Sequence, residues 1–195
     1  MLLYSEIETH VIHKLKEGLS PALTYHNVAH TLDVLTQAVS IAKEEGIRDE
    51  NDFLLLKISS LYHDVGFLDT YDRHEERSCE IAMGELAGFG FAAGEIDKIC
   101  GMIRATKVPQ EPKTQLEEII CDADLDYLGR SDFFSIAEGL FNEFRDQKII
   151  PGDKHWNLLQ IRFFENHKYF TSTAKRKRQG QKHVHLKVLQ EKVSG

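Results

Sequence analysis

Apolar residues recur along this chain at helical rather than strand spacing. Leu3, Ile7, Val11 and Leu15 fall four apart, so residues 3–17 are predicted to form an amphipathic helix, punctuated by Gly18 and Pro21. A second helix carries Val28, Leu32, Leu35, Val39 and Ile41 and stops near Gly46. A third is predicted to open near Asn51 or Asp52, good capping residues, and to run through Phe53, Leu54, Leu55, Ile58 and Leu61 to Asp64, with Gly66 at its end. That stretch is apolar nearly all round, which places it at the centre of the molecule. Residues 67–74 are predicted as a loop. Further helices are expected over residues 75–88, 93–106, 114–127, 131–146 and 153–169. No internal repeat and no alternating strand pattern of useful length occurs. The expected fold is therefore all-α, a single-domain helical bundle over residues 1–170.

Residues 171–195 differ. They open on a basic run, Lys175-Arg176-Lys177-Arg178, and Val184, Val188 and Leu189 hint at a short terminal helix. This segment is expected to be a basic tail or a short helix packed on the same domain, its cations on a solvated face.

Composition narrows the function classes. The chain has 195 residues, enough to bury a core without help from a metal or disulfide. With 13 Gly and 4 Pro it is neither collagen-like nor of low complexity. Its net charge of −7 argues against nucleic acid, because phosphate contacts need a basic surface. Three cysteines, Cys79, Cys100 and Cys121, form no CxxC pair, which fits a reducing cytoplasm. Glu6 and Glu8 come too early for a signal peptide, and no apolar run nears the ~20 residues of a membrane span.

The unusual number is ten histidines. In Tyr25-His26-Asn27-Val28-Ala29-His30-Thr31, the two imidazoles are four apart on a helix, or straddle its first turn, and can face one point. His63-Asp64 closes the most hydrophobic helix. An ionised Asp there is costly unless it has a strong partner, and a cation is the best one. In Cys121-Asp122-Ala123-Asp124-Leu125-Asp126 three acids alternate with other residues. Asp122 and Asp126 share one face and Asp124 lies on the other. Only one of these faces is expected to be buried, and spacing alone leaves both open.

In order, His30, His63-Asp64 and Asp124 match the H…HD…D signature of the HD-domain metal-dependent phosphohydrolases, and the context agrees. Tyr-His-Asn-x-x-His-Thr resembles a segment of cyclic-nucleotide phosphodiesterases and their bacterial relatives. Leu-Tyr-His-Asp-Val-Gly resembles the end of the family's central helix. His74-Glu75-Glu76-Arg77-Ser78 resembles the following helix start, and Asp122-Ala123-Asp124-Leu125 the segment of the last ligand. The resemblance covers residues 20–145.

It implies an all-α bundle and a hydrolase acting on a phosphomonoester or phosphodiester bond of a nucleotide or similar small phosphate. His30, His63, Asp64 and Asp124 are implied metal ligands, with Asp64 also counted as catalytic. Such a His/Asp set suits divalent Mn, Fe, Ni, Co, Zn or Mg. His26 is the implied proton donor to the leaving oxygen. His74 is implied at substrate or at a second metal, with Arg73 and Glu75 beside it. Arg104 and Lys107, at the end of the next helix, are candidates to balance phosphate charge. No Gly-Tyr-Pro follows the fourth ligand, which disfavours a cyclic-di-GMP hydrolase, and no purine-reading glutamine can be located. The partner implied is a small phosphorylated substrate, a nucleotide foremost; an oligomer is compatible with the sequence. Two alternatives remain: a non-catalytic nucleotide-binding or signalling domain on the same scaffold, and a di-iron oxygenase that would recruit His74.

Overall fold

The computed structural model describes residues 2–194, of which Ser194 is described in its backbone only. Among them are nine α-helices and no strand: α1 Leu2–Gly18, α2 Val28–Glu44, α3 Glu50–Tyr62, α4 His74–Leu86, α5 Ala93–Ala105, α6 Gln115–Asp124, α7 Phe133–Asp146, α8 Asp153–Asn166 and α9 Ser172–Ser194. Short 3-10 turns, Val65–Leu68 and Asp126–Gly129, follow α3 and α6. The all-α expectation is met.

The helix faces follow the apolar pattern. Ile7, Val11 and Leu15 of α1 are buried. On α3, residues from every side are buried, among them Leu55, Leu56, Ile58 and Leu61. This helix packs against α1, α2, α5 and α6 and forms the axis of the larger core. A smaller core joins Tyr25, Tyr127, Leu128 and Phe133 to Phe164 of α8 and Leu189 of α9.

Local chemistry sets the helix ends that matter for function. The Asn27 carboxamide accepts the amides of Ala29 (2.9 Å) and His30 (3.3 Å), so α2 begins at Val28. His26 therefore precedes the helix and His30 lies in its first turn. The end of α3 is pinned by Ser78 of α4, whose hydroxyl donates to the His63 carbonyl (2.7 Å) and accepts the Gly66 amide (2.8 Å). Only glycine fits at 66, since a Cβ there would lie 2.1 Å from the His74 carbonyl oxygen.

The C-terminal segment departs from expectation. It is one 23-residue helix rather than a short one. Its buried positions include Ala174, Lys182, His185 and Leu189, two of them polar, and hydropathy does not reveal such a face. The basic run is partnered: Arg176 and Lys177 reach Glu44, and Arg178 reaches Asp126 at 2.7 Å. The 3-10 turn after α6 runs so close to α9 that a Cβ on Gly129 would lie 2.4 Å from the Arg178 carbonyl oxygen.

Candidate metal centre and cavity

Four side chains from three helix ends converge. The Nε2 atoms of His30 and His63 lie 3.3 Å apart. Asp64 Oδ2 is 3.3 Å from His30 Nε2 and 3.2 Å from His63 Nε2. Asp124 Oδ1 is 3.2 Å from His30 Nε2 and 3.8 Å from His63 Nε2. All four have little exposure, and His63 is 1% exposed. Two imidazole nitrogens facing each other and two carboxylates are a poor arrangement unless something positive lies among them.

Two further observations say that this donor set fits a cation. Asp64 Oδ2 is buried and takes no hydrogen bond of acceptable geometry, despite the nearby imidazoles. His63 Nδ1 faces the Ser60 carbonyl at 2.8 Å; donating there leaves Nε2 with a lone pair aimed at the cluster. Electrostatics agree. Burial works against charge on His30, but the Asp124 and Asp64 carboxylates beside it push its pKa up to about 10. Burial likewise opposes ionisation of Asp64, yet His63 and His30 hold it well below the usual carboxylate range.

His26 lies beside this cluster, held by a residue the sequence did not flag. Its Nδ1 pairs with Oε1 of Glu143, a fully buried carboxylate on α7. Oε1 also accepts the Tyr71 hydroxyl at 2.8 Å, and Oε2 accepts the backbone amides of Tyr25 (2.9 Å) and His26 (3.0 Å). Phe67 stacks on the rings of both His26 and His74, with centroids at 4.1 and 4.0 Å, and those two rings lie 6.0 Å apart. His74 Nε2 lies 3.5 Å from Asp64 Oδ1 and 3.6 Å from Glu75 Oε1. The residue before it, Arg73, holds a left-handed backbone (φ 53), uncommon for a side chain of that size.

A cavity of about 470 Å³ opens on the cluster. Asp64, Asp124, His26, His74, Arg73 and Lys107 all line it. Arg104 does not: it reaches out to Glu76 at 3.0 Å, both side chains about half exposed, and borders a separate groove. The three acids at the end of α6 and in the turn after it also resolve differently from the either-or expected. Asp124 faces the cluster, while Asp122 and Asp126 are buried on the opposite side. Asp122 takes the Phe170 and Thr171 amides and the Thr171 hydroxyl, and Asp126 takes Arg178. Both faces are covered because the chain after residue 166 closes over the outer one.

Glu143 carried no sequence signal. It sits in an amphipathic helix, Phe-Asn-Glu-Phe-Arg-Asp, at a position that looks solvated, and its burial depends on residues more than a hundred positions away.

The chain is an all-helical bundle in which two histidines and two aspartates at helix ends form a cluster able to hold a metal ion. The HD-domain family model matches residues 27–126, just over half of the chain, and the protein belongs to the HD-domain family. Two solved structures share its fold. One, from an uncultured Thermotogales bacterium, is described as a predicted HD-superfamily hydrolase; it is 21% identical, over 97% of this chain and 91% of its own, with a TM-score of 0.63. The other, from Lactobacillus plantarum, is 16% identical, over 99% of this chain and 97% of its own, with a TM-score of 0.68. No curated protein matches the sequence. No helix among the described residues is long and apolar enough to cross a membrane.

Proposed function

We propose that this HD-domain protein is a metal-dependent phosphohydrolase that cleaves a P–O ester bond of a nucleotide or similar small phosphate. The observation that carries this reading is the convergence of His30, His63, Asp64 and Asp124 on one point at the edge of a substrate-sized cavity, with a buried Asp64 oxygen left unbonded. A divalent ion held by these four residues would supply Lewis-acid activation of the phosphoryl group and of the attacking water. A second ion, if the reaction uses one, would draw on Asp64, His74 and Glu75.

The chain's own groups supply the rest. Glu143 accepts from Nδ1 of His26, which fixes the ring and leaves Nε2 to deliver a proton to the departing oxygen. Phe67 packs against both the His26 and His74 rings, which are inclined by 44° to one another. Lys107 and Arg73 at the cavity wall balance phosphate charge, and His74 donates to a phosphoryl oxygen. Arg104, committed to Glu76, has no direct part in this scheme.

The test is inorganic phosphate or phosphoester release by protein reconstituted with Mn²⁺, Ni²⁺, Fe²⁺ or Zn²⁺ on a panel of nucleotides and other phosphoesters. His30→Ala should lose metal and turnover together. His26→Ala should keep the metal and lose about 10²–10⁴-fold in rate, less on a nitrophenyl ester whose leaving group needs no proton. Absence of turnover on every ester with every metal would leave the non-catalytic binding domain as the better reading.

A further inference from the structure

The cavity has two chemically different halves. The half contributed by residues 64–124 carries ionisable groups, among them Asp64, Arg73, His74, Glu75, Lys107 and Asp124. The half contributed by α7 and α8 carries Phe133, Leu140, Phe144, Trp156, Leu159 and Phe164, with Ala137 and Phe163, and a single polar side chain, Gln160. Gln160 is only 8% exposed. Both α7 and α8 lie outside the segment matched by the family model.

From this division we infer that the substrate is an amphiphilic phosphoester: its phosphate meets the metal half, and its organic group is apolar, occupying the α7–α8 half with at most one polar function against Gln160. The inference rests on the phosphohydrolase reading and, within it, sets a small phosphate with an apolar organic group in place of the nucleotide. Desolvation decides against a polyhydroxylated group there. A sugar places several hydroxyls in contact with the wall, and each one buried without a partner weakens binding by about 5–150-fold. One carboxamide cannot satisfy several hydroxyls, whereas apolar carbon is favoured on every wall. The phosphate has the opposite preference, and α7 and α8 offer the cavity no cation and no histidine to hold it. The cavity volume of about 470 Å³ far exceeds what a phosphate alone requires.

Trp156 is the only tryptophan in the chain and lines the apolar half, so its fluorescence reports occupancy without any turnover. The experiment titrates Mn²⁺-loaded full-length protein with ethyl-, hexyl- and decylphosphonate, whose C–P bond is not hydrolysed, and with ribose 5-phosphate and AMP. The dissociation constant should fall about 3–4-fold per added methylene until the cavity is full. Decylphosphonate should bind more tightly than either sugar phosphate. Leu140→Asn should flatten the chain-length dependence while metal content stays at the wild-type level. Should that variant fail to fold, Ala137→Leu narrows the same half and should end the gain at a shorter chain. A dissociation constant that is flat from ethyl to decyl, or tighter binding of AMP than of decylphosphonate, overturns the assignment. Parallel assays on the corresponding alkyl phosphates and on AMP separate this inference from the function it rests on. A chain-length gradient without cleavage of any ester sinks the hydrolase and keeps the cavity assignment; cleavage of AMP without a gradient does the reverse.

Discussion

Replacing Glu143 by glutamine tests how the site is wired, because the side chain keeps its shape and loses its charge. The carboxylate is fully buried and accepts from four donors: two backbone amides on Oε2, and His26 Nδ1 and the Tyr71 hydroxyl on Oε1. A carboxamide has one acceptor oxygen, so whichever way it is turned, its NH₂ group opposes one of these pairs. If it turns towards the backbone pair, two buried amides lose their acceptor. If it turns towards His26 and Tyr71, the hydroxyl can rotate to accept, and the imidazole must either shift its proton to Nε2 or move. At about 1–3 kcal/mol for each buried group left unpaired, Glu143→Gln should cost roughly 2–4 kcal/mol of stability, read as a lower urea midpoint at unchanged m-value. Glu143 touches none of the four metal-cluster residues, so metal content should be retained. Turnover should fall by about 10²–10⁴-fold with KM little changed, and the defect should shrink on an ester with an acidic leaving group. An equal loss on good and poor leaving groups would refute the role assigned to the Glu143–His26 pair, and a full wild-type rate would refute it outright.

Asp124→Ala should lose metal and activity together. Asp126→Ala should instead cost about 3–5 kcal/mol, because it strands the partly buried Arg178, while metal per folded molecule stays the same; elemental analysis alongside denaturation separates the two. Removal of residues 171–195 should abolish cooperative unfolding, since it strips the partners of Asp122 and Asp126 and uncovers Leu189's neighbours; a truncated chain that melts like the intact one would show that α9 is dispensable. Arg104→Ala should leave kcat/KM within about twofold, as expected of an exposed pair with Glu76. Metal affinity should rise with pH up to about 10. His30 has its pKa raised to about 10 from an ordinary 6.5, so its proton stabilises the ion-free protein fully below 6.5, and that stability is lost as pH rises towards 10. An incoming cation must displace this proton, and calorimetry in buffers of different ionisation enthalpy should register its release; pH-independent affinity would contradict the assignment.

Much of the framework was legible because it follows from periodicity. The four-residue spacing of Ile7, Val11 and Leu15 names the buried face of α1, and the all-round apolar character of residues 53–61 puts α3 on the axis. The cluster residues were legible through motif order, and Asn27 explains why His26 and His30 straddle the start of α2. What escaped depends on contacts between distant segments. Glu143 resembles any exposed glutamate until α7 packs over Tyr25 and Tyr71. Arg104 sits where a cation could meet phosphate, but its side chain reaches Glu76 instead. The C-terminal helix buries Lys182 and His185, with His185 Nδ1 donating to the Leu128 carbonyl at 2.9 Å, and a polar contact of this kind leaves no trace in hydropathy. The same helix explains why both faces of the Asp122–Asp126 stretch are covered, which local spacing could not anticipate.

The most direct test is anomalous X-ray diffraction from crystals of the full-length protein grown with Mn²⁺. The account predicts a peak among His30 Nε2, His63 Nε2, Asp64 and Asp124, about 2.0–2.3 Å from each donor atom, the range for nitrogen and oxygen ligands of small divalent ions. A peak elsewhere, or none among these four residues at saturating Mn²⁺, would contradict it.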